Sequence, residues 1–349
     1  MKAWEVRGGF GLDRLELVER PDPEPGPGEA LVRLRAASIN FRDYLMVEGK
    51  YNPKQPLPLV PCSDGAGEVV ALGPGAGRLA PGLAVGARVL PIFAQGWLAG
   101  RPRREAVRTT LGGPLDGTLA ELLVVRAEGV VPAPEHLSDE EAATLPCAAV
   151  TAWNALTSSR PGGGDDGPVK AGDTVLTLGT GGVSIFALQL AHLLGARVIV
   201  TSSSDEKLAR ARELGAWEGV NYREVPEWGK RVRELTGGEG VDHVIEVGGG
   251  DTLPKSLQAV RAGGTISLIG VLSGRPTELD VAAILMRSIR VQGVLVGSRE
   301  HFEAMNRAIA QHDLRPVVDR VFPFEEAPDA FRHLAAGRHF GKVAVRIAG

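Results

Sequence analysis

The chain has 349 residues, more than one ordinary hydrophobic core accommodates, so its length predicts two domains. Hydrophobic residues make up 44% and charged residues 23% of the sequence, as in a soluble globular protein. A formal net charge of -3 without a basic stripe argues against nucleic-acid binding. The short basic cluster RPRR (101–104) is interpreted as a solvated surface.

Targeting signals and disulfides are also disfavoured by the sequence. The N-terminal segment MKAWEVRGGFG lacks the apolar core of a signal peptide, and no run reaches the roughly 18 apolar residues of a membrane span. Two cysteines, Cys62 and Cys147, cannot form a disulfide framework, which is typical of a reducing compartment. We therefore expect a cytoplasmic protein that does not interact with membranes.

The first 134 residues are predicted to form β structure. Apolar and polar residues alternate along several segments, and loops rich in proline and glycine separate them. A short helix is predicted at 40–48, and a glycine turn at 63–73 leads into a strand. Together these segments indicate a small, partly closed β-barrel. The strands are predicted at 4–6, 15–20, 29–39, 63–73, 86–92 and within 117–134.

The pattern changes at Ser138, which forms a capping-box signature with Glu141 at the start of a helix. A loop, PGGGDDGP (161–168), then leads into alternating strands and helices, which predict a parallel, doubly wound sheet. The tail from about Gly297 has its own helices and strands, and we expect it to return to the first domain. Strands are predicted at 174–178, 197–201, 219–222, 241–247, 264–270 and 290–297, and helices at about 205–214, 227–235, 252–260, 280–286, 301–311 and 326–336.

The stretch 173–207 carries the strongest functional pattern. A short apolar strand (174–178) ends in a glycine turn, and an apolar helix begins directly after it. Gly179 allows the tight turn and Gly181 lets the backbone approach a phosphate, whereas the third position of the G-x-G-x-x-G pattern is Ser184. Unpaired N–H groups and the positive dipole end favour an anion at this helix start. We predict that the turn binds the pyrophosphate of a dinucleotide.

Five motifs extend this prediction along almost the whole chain. They are INFRDYL (39–45), PCSDGAGEVVALG (61–73), LPCAAVTAWNAL (145–156), TLGTGGVSIFALQLA (177–191) and HFGKVAVRI (339–347). Together they resemble the medium-chain dehydrogenase/reductase superfamily, and most closely its zinc-free, quinone oxidoreductase-like members. The resemblance implies an α/β protein. A GroES-like, partly closed β-barrel catalytic domain (1–147 and 295–349) would accompany a Rossmann domain with a doubly wound parallel sheet (148–294).

Zinc-dependent members of this superfamily bind the catalytic ion with a Cys, a His and a Cys. Matched by motif, these positions are Asn40, Ser63 and Cys147 here, and Asp64 takes the place of the acidic neighbour. A catalytic zinc needs three protein ligands, and only the thiol keeps its residue type. The four cysteines of the family's structural zinc lobe are also missing from the sequence. We expect no zinc, although recruitment of Asp64, Cys62 or a distant histidine stays an alternative.

The end of the second Rossmann strand distinguishes NAD from NADP. An acidic residue there bonds the ribose 2′-hydroxyl of NAD and repels a 2′-phosphate. Matched to the family pattern, this place holds Ser202, with Ser203 beside it and Lys207 one turn into the next helix. Two hydroxyls and an ammonium favour NADPH over NADH. Two alternatives stay open, because Ser203 and Glu206 also form a capping-box signature and Asp205 could serve an NAD ribose.

The resemblance implies further contacts with the cofactor. Tyr222 takes a place near the adenosine phosphate, and backbone segments after three later strands flank the nicotinamide. Lys342 resembles a tail lysine that reaches the cofactor, and its alternative role is that of a solvated side chain. The predicted cofactor-binding residues are Gly179, Thr180, Gly181, Gly182, Val183, Ser202, Ser203, Lys207, Tyr222, Val247, Ile269, Val271, Val294, Val296 and Lys342.

Asn40, Tyr51 and Thr151 are the predicted catalytic residues. Asn40 and Thr151 match family positions near the nicotinamide, with a turn-forming Asn and a helix-starting Thr as their alternative roles. Without zinc, hydride transfer depends mainly on orientation, and the anion that develops takes a proton from solvent or a nearby hydroxyl. Tyr51 is the predicted donor, whereas Asp43 is expected to anchor a local turn.

We predict a zinc-independent, NADPH-dependent oxidoreductase that transfers hydride to a quinone or an activated C=C bond of a small molecule. One alternative is an alcohol dehydrogenase-type enzyme that acts on an alcohol or a carbonyl with NAD(P). Another is a sensor or structural protein that binds NADPH without turnover. The resemblance also suggests a homodimer that forms through the last Rossmann strands, where RVQGVLVG (290–297) lies.

Overall fold

The computed structural model describes residues 1–158, 167–274 and 277–347. Most of the predicted loop at 161–168 lies outside the described residues. The chain forms two compact units. The first unit comprises Met1–Val150 and Gly297–Gly349, and the second comprises Thr151–Val296. The tail therefore belongs to the first unit, and the observed boundaries (150/151 and 296/297) lie close to the predicted ones (147/148 and 294/295).

The first unit contains a seven-stranded sheet and a two-stranded hairpin. The hairpin pairs β1 (Lys2–Val6) with β2 (Leu15–Glu19). The long strand β3 (Glu29–Ile39) organises the larger sheet, because β4 (Asp64–Leu72) lies along one edge and the other edge is shared between β6 (Leu122–Arg126) and β15 (Lys342–Arg346). The remaining strands are β5 (Arg88–Pro91), β7 (Val130–Pro132) and β14 (Val318–Pro323).

Short helices connect these strands. The predicted capping box is confirmed, since the Ser138 hydroxyl accepts from the Glu141 N–H and the Glu141 carboxylate accepts from the Ser138 N–H. The helical stretch after it is interrupted by a π-helical turn, Leu145–Ala149, because Pro146 has no N–H for a regular helical bond. The helices of this unit are α1 (Phe41–Val47), α2 (Ala76–Leu79), α3 (Arg104–Val107), α4 (Asp139–Ala142), α11 (Arg299–Gln311) and α12 (Ala327–Ala335). Helix α5 (Val150–Thr157) begins at the boundary and belongs to the second unit.

The tail is held in the first unit by apolar burial. Phe331 on α12 is fully buried and belongs to one cluster with Ile39 on β3 and Val343 on β15. Burial of a side chain of this size contributes about 2–3 kcal/mol. The Trp4 indole N–H also donates to the Phe324 carbonyl at 2.8 Å, which joins the two ends of the chain.

The second unit is a six-stranded, wholly parallel sheet in the order β10-β9-β8-β11-β12-β13. This is the doubly wound order, which reverses direction between β8 and β11, and it confirms the predicted fold. The strands are β8 (Thr174–Leu178), β9 (Arg197–Ser202), β10 (Glu218–Asn221), β11 (Val241–Glu246), β12 (Val260–Leu268) and β13 (Arg290–Gly293). The helices are α6 (Gly182–Leu193), α7 (Asp205–Glu213), α8 (Trp228–Leu235), α9 (Leu253–Ala259) and α10 (Val281–Met286).

The last predicted strand of this unit is shorter than its sequence suggests. The apolar run RVQGVLVG (290–297) predicted a strand over its whole length, but β13 ends at Gly293. Val296 has a φ of +43°, a left-handed conformation that a strand cannot contain. Among the described residues, no helix combines the length and apolar character needed to cross a membrane.

Candidate active site

Helix α1 begins at a buried, charged turn in the first unit. Asn40 precedes the helix, and its N–H donates to a carboxylate oxygen of Asp43 at 2.8 Å. The other oxygen of Asp43 lies 3.1 Å from the Arg42 guanidinium. Asp43 thus anchors the turn, as expected from the sequence. Burial raises the pKa of Asp43, and the neighbouring guanidinium of Arg42 opposes that rise.

Asn40 also belongs to a closed set of buried polar groups, which we call the buried ring: Asn40, Ser63, Asp64 and Lys342. The Lys342 ammonium donates to the Asn40 amide oxygen at 2.5 Å, and the Asn40 amide nitrogen lies 3.4 Å from the Ser63 hydroxyl. Ser63 donates to one Asp64 oxygen at 2.9 Å. The other oxygen lies 3.8 Å from the Lys342 ammonium, which closes the ring.

Three strands bring these four residues together. Antiparallel pairing places Ser38 of β3 opposite Asp64 of β4, while Val343 of β15 lies opposite Ile39 of β3. The end of β3 therefore meets the starts of β4 and β15, where the four polar side chains stand. The Ile39 carbonyl accepts a further bond from the Lys342 ammonium at 3.1 Å.

A strained backbone precedes Ser63. Cys62 has a φ of +71° and is fully buried. The neighbouring chain passes so close that a Cβ at Gly117 would lie 2.0 Å from the Cys62 carbonyl oxygen, so only glycine fits there. A non-glycine residue in this conformation costs of order 1–3 kcal/mol, which the surrounding contacts must offset. The packing of Gly117 on Cys62 therefore fixes the direction in which Ser63 enters the ring.

Lys342 has partners that differ from the sequence-based assignment. Its side chain is only 3% exposed, and its ammonium donates to an amide oxygen and a backbone carbonyl inside the first unit. It is therefore not the solvated side chain of the alternative interpretation. Lys342 is a member of the buried ring, and its contact with the cofactor stays a prediction.

Tyr51, the predicted proton donor, lies beside an arginine that the sequence analysis did not single out. The Arg42 guanidinium carbon is 5.0 Å from the centre of the Tyr51 ring and 5.3 Å from that of Phe93. Arg42 also donates to the carbonyls of residues 111–113 at 2.8–3.2 Å. The Tyr51 side chain remains 42% exposed. Only the position of Arg42 beside Asp43 in the motif INFRDYL could have indicated its role.

The glycine turn of the second unit has the geometry that a dinucleotide phosphate requires. Gly179 has a φ of +73°, and no heavy atom of the described residues lies within 4 Å of where its Cβ would stand. Gly181, the residue before α6, has no side chain to cap the helix N–H groups. The Ser184 hydroxyl donates to the Leu178 carbonyl at 2.6 Å, so this small residue packs where the pattern has a third glycine. Thr180, Gly182 and Val183 complete the predicted turn.

The corner after β9 corrects one sequence-based prediction. The residue that caps α7 is Ser204, whose hydroxyl accepts from the Lys207 N–H at 3.3 Å. The predicted capping box of Ser203 and Glu206 is therefore wrong, because the chain is still extended at Ser204 and the helix begins one residue later. Ser202 is 2% exposed, and its hydroxyl accepts from the Ser204 N–H at 3.3 Å.

The alternative ribose ligand, Asp205, already has a partner. Its carboxylate accepts from the Asn221 amide at 2.9 Å, at the end of the neighbouring strand β10. The next residue, Tyr222, donates its backbone N–H to the Ser202 carbonyl at 2.9 Å and leaves its side chain 40% exposed. The ends of β9 and β10 thus bring Ser202, Ser203 and Tyr222 to one corner of the sheet, as the predicted adenosine site requires.

A buried carboxylate that the sequence analysis missed shapes the turn after β11. Glu246 is fully buried and accepts from the N–H groups of Gly248 and Gly249 at 2.8 and 3.0 Å, and from the Thr252 hydroxyl at 2.7 Å. These bonds fold the chain directly after Val247, a predicted cofactor contact. In the sequence, Glu246 is a single acidic residue shortly before three glycines, and this pattern alone does not indicate a buried carboxylate that shapes a turn.

The other predicted backbone contacts follow the carboxyl ends of the next two strands. The Ile269 N–H donates to the Glu246 carbonyl at 2.8 Å, and the Val294 N–H donates to the Leu268 carbonyl at 3.0 Å. Ligands of doubly wound sheets bind at this edge, where the strand order reverses. The residues concerned are Val247, Ile269, Val271, Val294 and Val296, and Val271 is 44% exposed.

Thr151, a predicted catalytic residue, belongs to the second unit and not to the buried ring. It is 3% exposed on α5. From the same helix, the Asn154 amide donates to the carbonyl of Val296 at 2.7 Å. Val296 is β-branched and has a positive φ, a costly combination that is often found at functional sites. Asn154 is a further residue that the sequence analysis missed.

Residues 26–135 match the family model described as Alcohol dehydrogenase GroES-like domain, and residues 182–311 match Zinc-binding dehydrogenase. A zinc-type alcohol dehydrogenase-like protein of Schizosaccharomyces pombe is 43% identical, with 97% of this chain and 96% of the relative covered. Crotonyl-CoA reductase of Streptomyces collinus is 34% identical, with 98% of this chain and 83% of the relative covered. The chain belongs to the medium-chain dehydrogenase/reductase superfamily.

Two solved structures show the same fold. An NAD-dependent alcohol dehydrogenase has a TM-score of 0.88 and 36% identity, with both chains covered completely (100%). The 2-octenoyl-CoA carboxylase reductase CinF, in complex with NADP and 2-octenoyl-CoA, has a TM-score of 0.86 and 28% identity, with 99% of this chain and 87% of that chain covered. This chain is therefore an NAD(P)-dependent oxidoreductase of the alcohol dehydrogenase superfamily.

The residues at the implied zinc site lack the donor set that a catalytic zinc requires. Of the three implied ligand positions, only Cys147 offers a thiol, whereas Asn40 offers an amide and Ser63 a hydroxyl. The Asn40 amide oxygen already accepts from an ammonium. Throughout residues 1–158, 167–274 and 277–347, no group of three His, Cys, Asp or Glu side chains is placed to hold a metal ion. These residues do not fit a catalytic zinc.

The ionisation of Asp64 predicts a pH dependence of stability. Burial raises its pKa from 3.8 to about 6, with Lys342 opposing and Asp43 adding to the rise. Between about pH 4 and pH 6 the native protein then binds more protons than the unfolded chain, so the free energy of unfolding falls as the pH rises. The expected loss is about 3 kcal/mol.

Urea unfolding at several pH values tests this expectation. The variant Asp64→Asn cannot titrate at this position and should lack the loss between pH 4 and pH 6. The exposed Asp13→Asn is the control and should retain the wild-type slope. Equal slopes in the wild type and Asp64→Asn would contradict the assignment.

Proposed function

We propose that this enzyme reduces an activated C=C bond or a quinone with NADPH and without a metal. The observation that carries the proposal is the buried ring, which fills the implied zinc site with an amide, a hydroxyl, a carboxylate and an ammonium. A catalytic metal acts on an isolated carbonyl as a Lewis acid that polarises its oxygen, and this site offers no such ion a full ligand set. Hydride addition to a conjugated alkene or quinone instead spreads the charge onto an oxygen that hydrogen-bond donors can stabilise.

The names of related proteins support reduction of a C=C bond. The relatives include a crotonyl-CoA reductase and a 2-octenoyl-CoA carboxylase reductase, and the latter was solved with NADP. NADPH supplies the hydride when it is bound. The chain contributes the phosphate-binding turn at Gly179–Val183, together with polar groups of the first unit, Asn40 and Tyr51. We propose that the exposed Tyr51 phenol, held next to the Arg42 guanidinium, supplies the proton.

Selection of NADPH rests on the corner after β9. The strand ends at Ser202, and Ser203 and Ser204 follow it, so no acidic residue stands at the strand end to repel a 2′-phosphate. Asp205, which could bind an NAD ribose, already accepts from the Asn221 amide. We propose that Ser203 and Lys207 bind the 2′-phosphate, since both are partly exposed whereas Ser202 is buried.

An alcohol dehydrogenase that uses NAD is the second candidate. It is favoured by the similarity to an NAD-dependent alcohol dehydrogenase, at 36% identity over the full length of both chains. The two candidates differ in cofactor, acceptor and metal, so each can be tested separately.

The cofactor proposal is tested by Ser203→Asp. A carboxylate beside the 2′-phosphate should raise KM for NADPH about tenfold, equivalent to roughly 1.4 kcal/mol, and leave KM for NADH nearly unchanged. Ser203→Ala is the control and should change either KM by less than about threefold. Steady-state kinetics with both cofactors provide the measurement. If Asp205→Asn instead weakens NADH selectively and Ser203→Asp has no effect, the enzyme uses NAD.

The acceptor is tested with purified enzyme and a panel of enones, enoyl thioesters, quinones, aldehydes and alcohols. We expect NADPH oxidation with the conjugated acceptors, resistance of that activity to a chelator, and a metal analysis without stoichiometric zinc. One zinc per chain with aldehyde or alcohol turnover would establish the second candidate. NADPH oxidation with none of the conjugated acceptors would contradict the proposed substrate class.

We further propose that the enzyme forms a homodimer through the edge of the second unit. In the described part of the chain, β13 ends the sheet order and has one unpaired edge. On the preceding helix α10, Val281, Leu285 and Met286 are 72–80% exposed. Exposed apolar side chains next to an open strand edge are typical of an interaction surface. The family resemblance suggests a second copy of this chain as the partner.

The dimer is tested by Leu285→Glu and Met286→Glu. Each introduces a charge into the proposed interface and should convert the protein to a monomer at micromolar concentration, as measured by light scattering after size-exclusion chromatography. The control is Val85→Glu, because Val85 is 61% exposed in the first unit. A monomeric wild type, or dimers of unchanged mass in both α10 variants, would contradict the proposal.

A further inference from the structure

One loop of the first unit, residues 96–109, carries a local excess of positive charge, and we call it the arginine loop. Its tip, residues 101–108, contains four exposed arginines and a single acidic side chain, Glu105. The whole chain has a formal net charge of -3, so this excess is confined to the loop. The four residues are Arg101, Arg103, Arg104 and Arg108.

The folded chain adds a fifth arginine from a neighbouring strand. The Cβ position of Gly96, at the start of the loop, lies 3.4 Å from a guanidinium nitrogen of Arg126, the last residue of β6. The buried Gln95 side chain fixes this approach, because its oxygen accepts from the Arg126 N–H at 3.1 Å and its nitrogen donates to the Gly129 carbonyl at 2.9 Å. Arg126 is exposed and therefore adds its charge at the base of the arginine loop.

These five arginines differ from others of the same unit in having no counter-charge. Arg42 pairs with Asp43, and Arg88 pairs with Asp139. No carboxylate in the described ranges of the chain forms an ion pair with any of the five. Like charges held close together without counter-charges repel one another, and a bound anion would remove that repulsion. The arginine loop thus has the electrostatics of an anion-binding surface.

The base of the arginine loop is held in place by hydrogen bonds. Ala94 and Thr110 form a β-bridge across the base. Inside it, the Thr109 hydroxyl accepts from the Gly96 N–H at 2.7 Å and donates to the Ala106 carbonyl at 2.6 Å. A loop that is ordered before it binds a ligand loses little conformational freedom on binding. The bonded base therefore presents the charged tip in a defined position.

The same base contacts the side chains beside the proposed proton donor. Phe93 and Leu111 flank the base, and the Leu111 N–H donates to the Phe93 carbonyl at 3.0 Å. The Arg42 guanidinium donates to the Leu111 carbonyl at 2.8 Å, and its carbon lies 5.3 Å from the centre of the Phe93 ring. That guanidinium also lies against the Tyr51 ring. A substrate that has its C=C bond near Tyr51 and an anionic remote end is suited to this arrangement.

We propose that the arginine loop binds the phosphate groups of coenzyme A (CoA), and that the substrate is an enoyl thioester of CoA. This inference rests on the proposed reduction of an activated C=C bond and names the class of acceptor. Enones and quinones carry no charge, whereas CoA has a diphosphate and a 3′-phosphate remote from its thioester. Guanidinium groups bind phosphates in a bidentate manner, and several guanidinium groups without carboxylate partners match several phosphate charges.

The proposed reaction adds hydride to the β-carbon and a proton to the α-carbon of the enoyl group, which gives a saturated thioester and NADP⁺. The arginine loop takes no part in this step and only holds the remote end of the substrate. A protein that carries the acyl group is disfavoured as the ligand. A stable protein contact covers about 800 Å² on each partner, which the tip of one loop does not provide.

Binding of CoA tests the proposal without turnover. Isothermal titration calorimetry is carried out on the enzyme saturated with NADP⁺, so that CoA cannot occupy the cofactor site. The variant Arg101→Ala/Arg103→Ala/Arg104→Ala, called the tip variant, should raise Kd for CoA at least about tenfold. The three side chains are exposed and without ion pairs, so Tm should not change. Added salt should weaken CoA binding more in the wild type than in the tip variant.

The matched control is Arg33→Ala/Arg78→Ala/Arg338→Ala. It removes three exposed charges from other elements of the first unit and should change Kd for CoA by less than about twofold. Equal weakening in the control and the tip variant would show that only the net charge matters, and would overturn the proposal.

Two further ligands identify the groups that are bound. Dephospho-CoA lacks the 3′-phosphate and should bind the wild type more weakly than CoA. In steady-state kinetics, the wild type should prefer 2-butenoyl-CoA to 2-butenoyl-pantetheine, which lacks all the phosphates. The ratio of the two kcat/KM values should fall at least about tenfold in the tip variant. A purely structural effect would change both substrates alike and leave this ratio unchanged, which would contradict the proposal.

Failure of this inference differs from failure of the proposed function. A wild type that reduces enones or quinones with NADPH but does not bind CoA would overturn only this inference. So would turnover of thioesters on a carrier protein without binding of free CoA, or an unchanged Kd in the tip variant. CoA binding that the tip variant loses, without NADPH oxidation by any conjugated acceptor, would support the binding site and contradict the proposed reaction.

Discussion

The first unit depends on one buried ion pair, that of Lys342 and Asp64. A charge removed from water is stable only with a partner of opposite sign and with its remaining hydrogen bonds satisfied. Both conditions are met here, because Asn40, Ser63 and a backbone carbonyl complete the contacts of the pair. The pair in turn requires that the start of β15 lie beside the start of β4 and the end of β3. The same ion pair therefore determines both where the tail strand β15 lies and which polar groups the buried ring contains.

The second unit offers neutral groups to an anion. In the turn after β8, no heavy atom of the described residues stands near the Cβ position of Gly179, and Gly181 leaves the start of α6 without a side-chain cap. The Ser184 hydroxyl on α6 donates to the Leu178 carbonyl at the end of β8 and so connects the helix to the strand. No formal charge is needed, because the helix dipole and the unpaired N–H groups favour a phosphate. The turn after β11 is held by the buried Glu246 carboxylate, whose charge is stabilised by four donors: two backbone N–H groups and two hydroxyls.

Local strain occurs at two of the predicted functional segments. Cys62 and Val296 both have positive φ although neither is glycine. One precedes Ser63 in the buried ring, and the other lies among the predicted nicotinamide contacts. Each is held by specific packing or hydrogen bonding, through Gly117 and Asn154 respectively. Such conformations persist only where the surroundings compensate for their cost. Precise placement of the neighbouring groups therefore carries a cost in stability at both segments.

The sequence by itself determined the features that depend on near neighbours: the alternating strands, the capping box at Ser138, the glycine turn at Gly179 and the residue types at the ligand positions. Tertiary structure decided the rest. Lys342 and Asn40 are 302 residues apart, so no local pattern could reveal that the ammonium binds the amide oxygen. The predicted cap of α7, Ser203, is one residue too early. Ser203 and Ser204 are both suitable N-cap residues, and the backbone conformation makes Ser204 the cap. The sequence shows the sign of each charged side chain, but only the long-range contacts of the folded chain determine its partner.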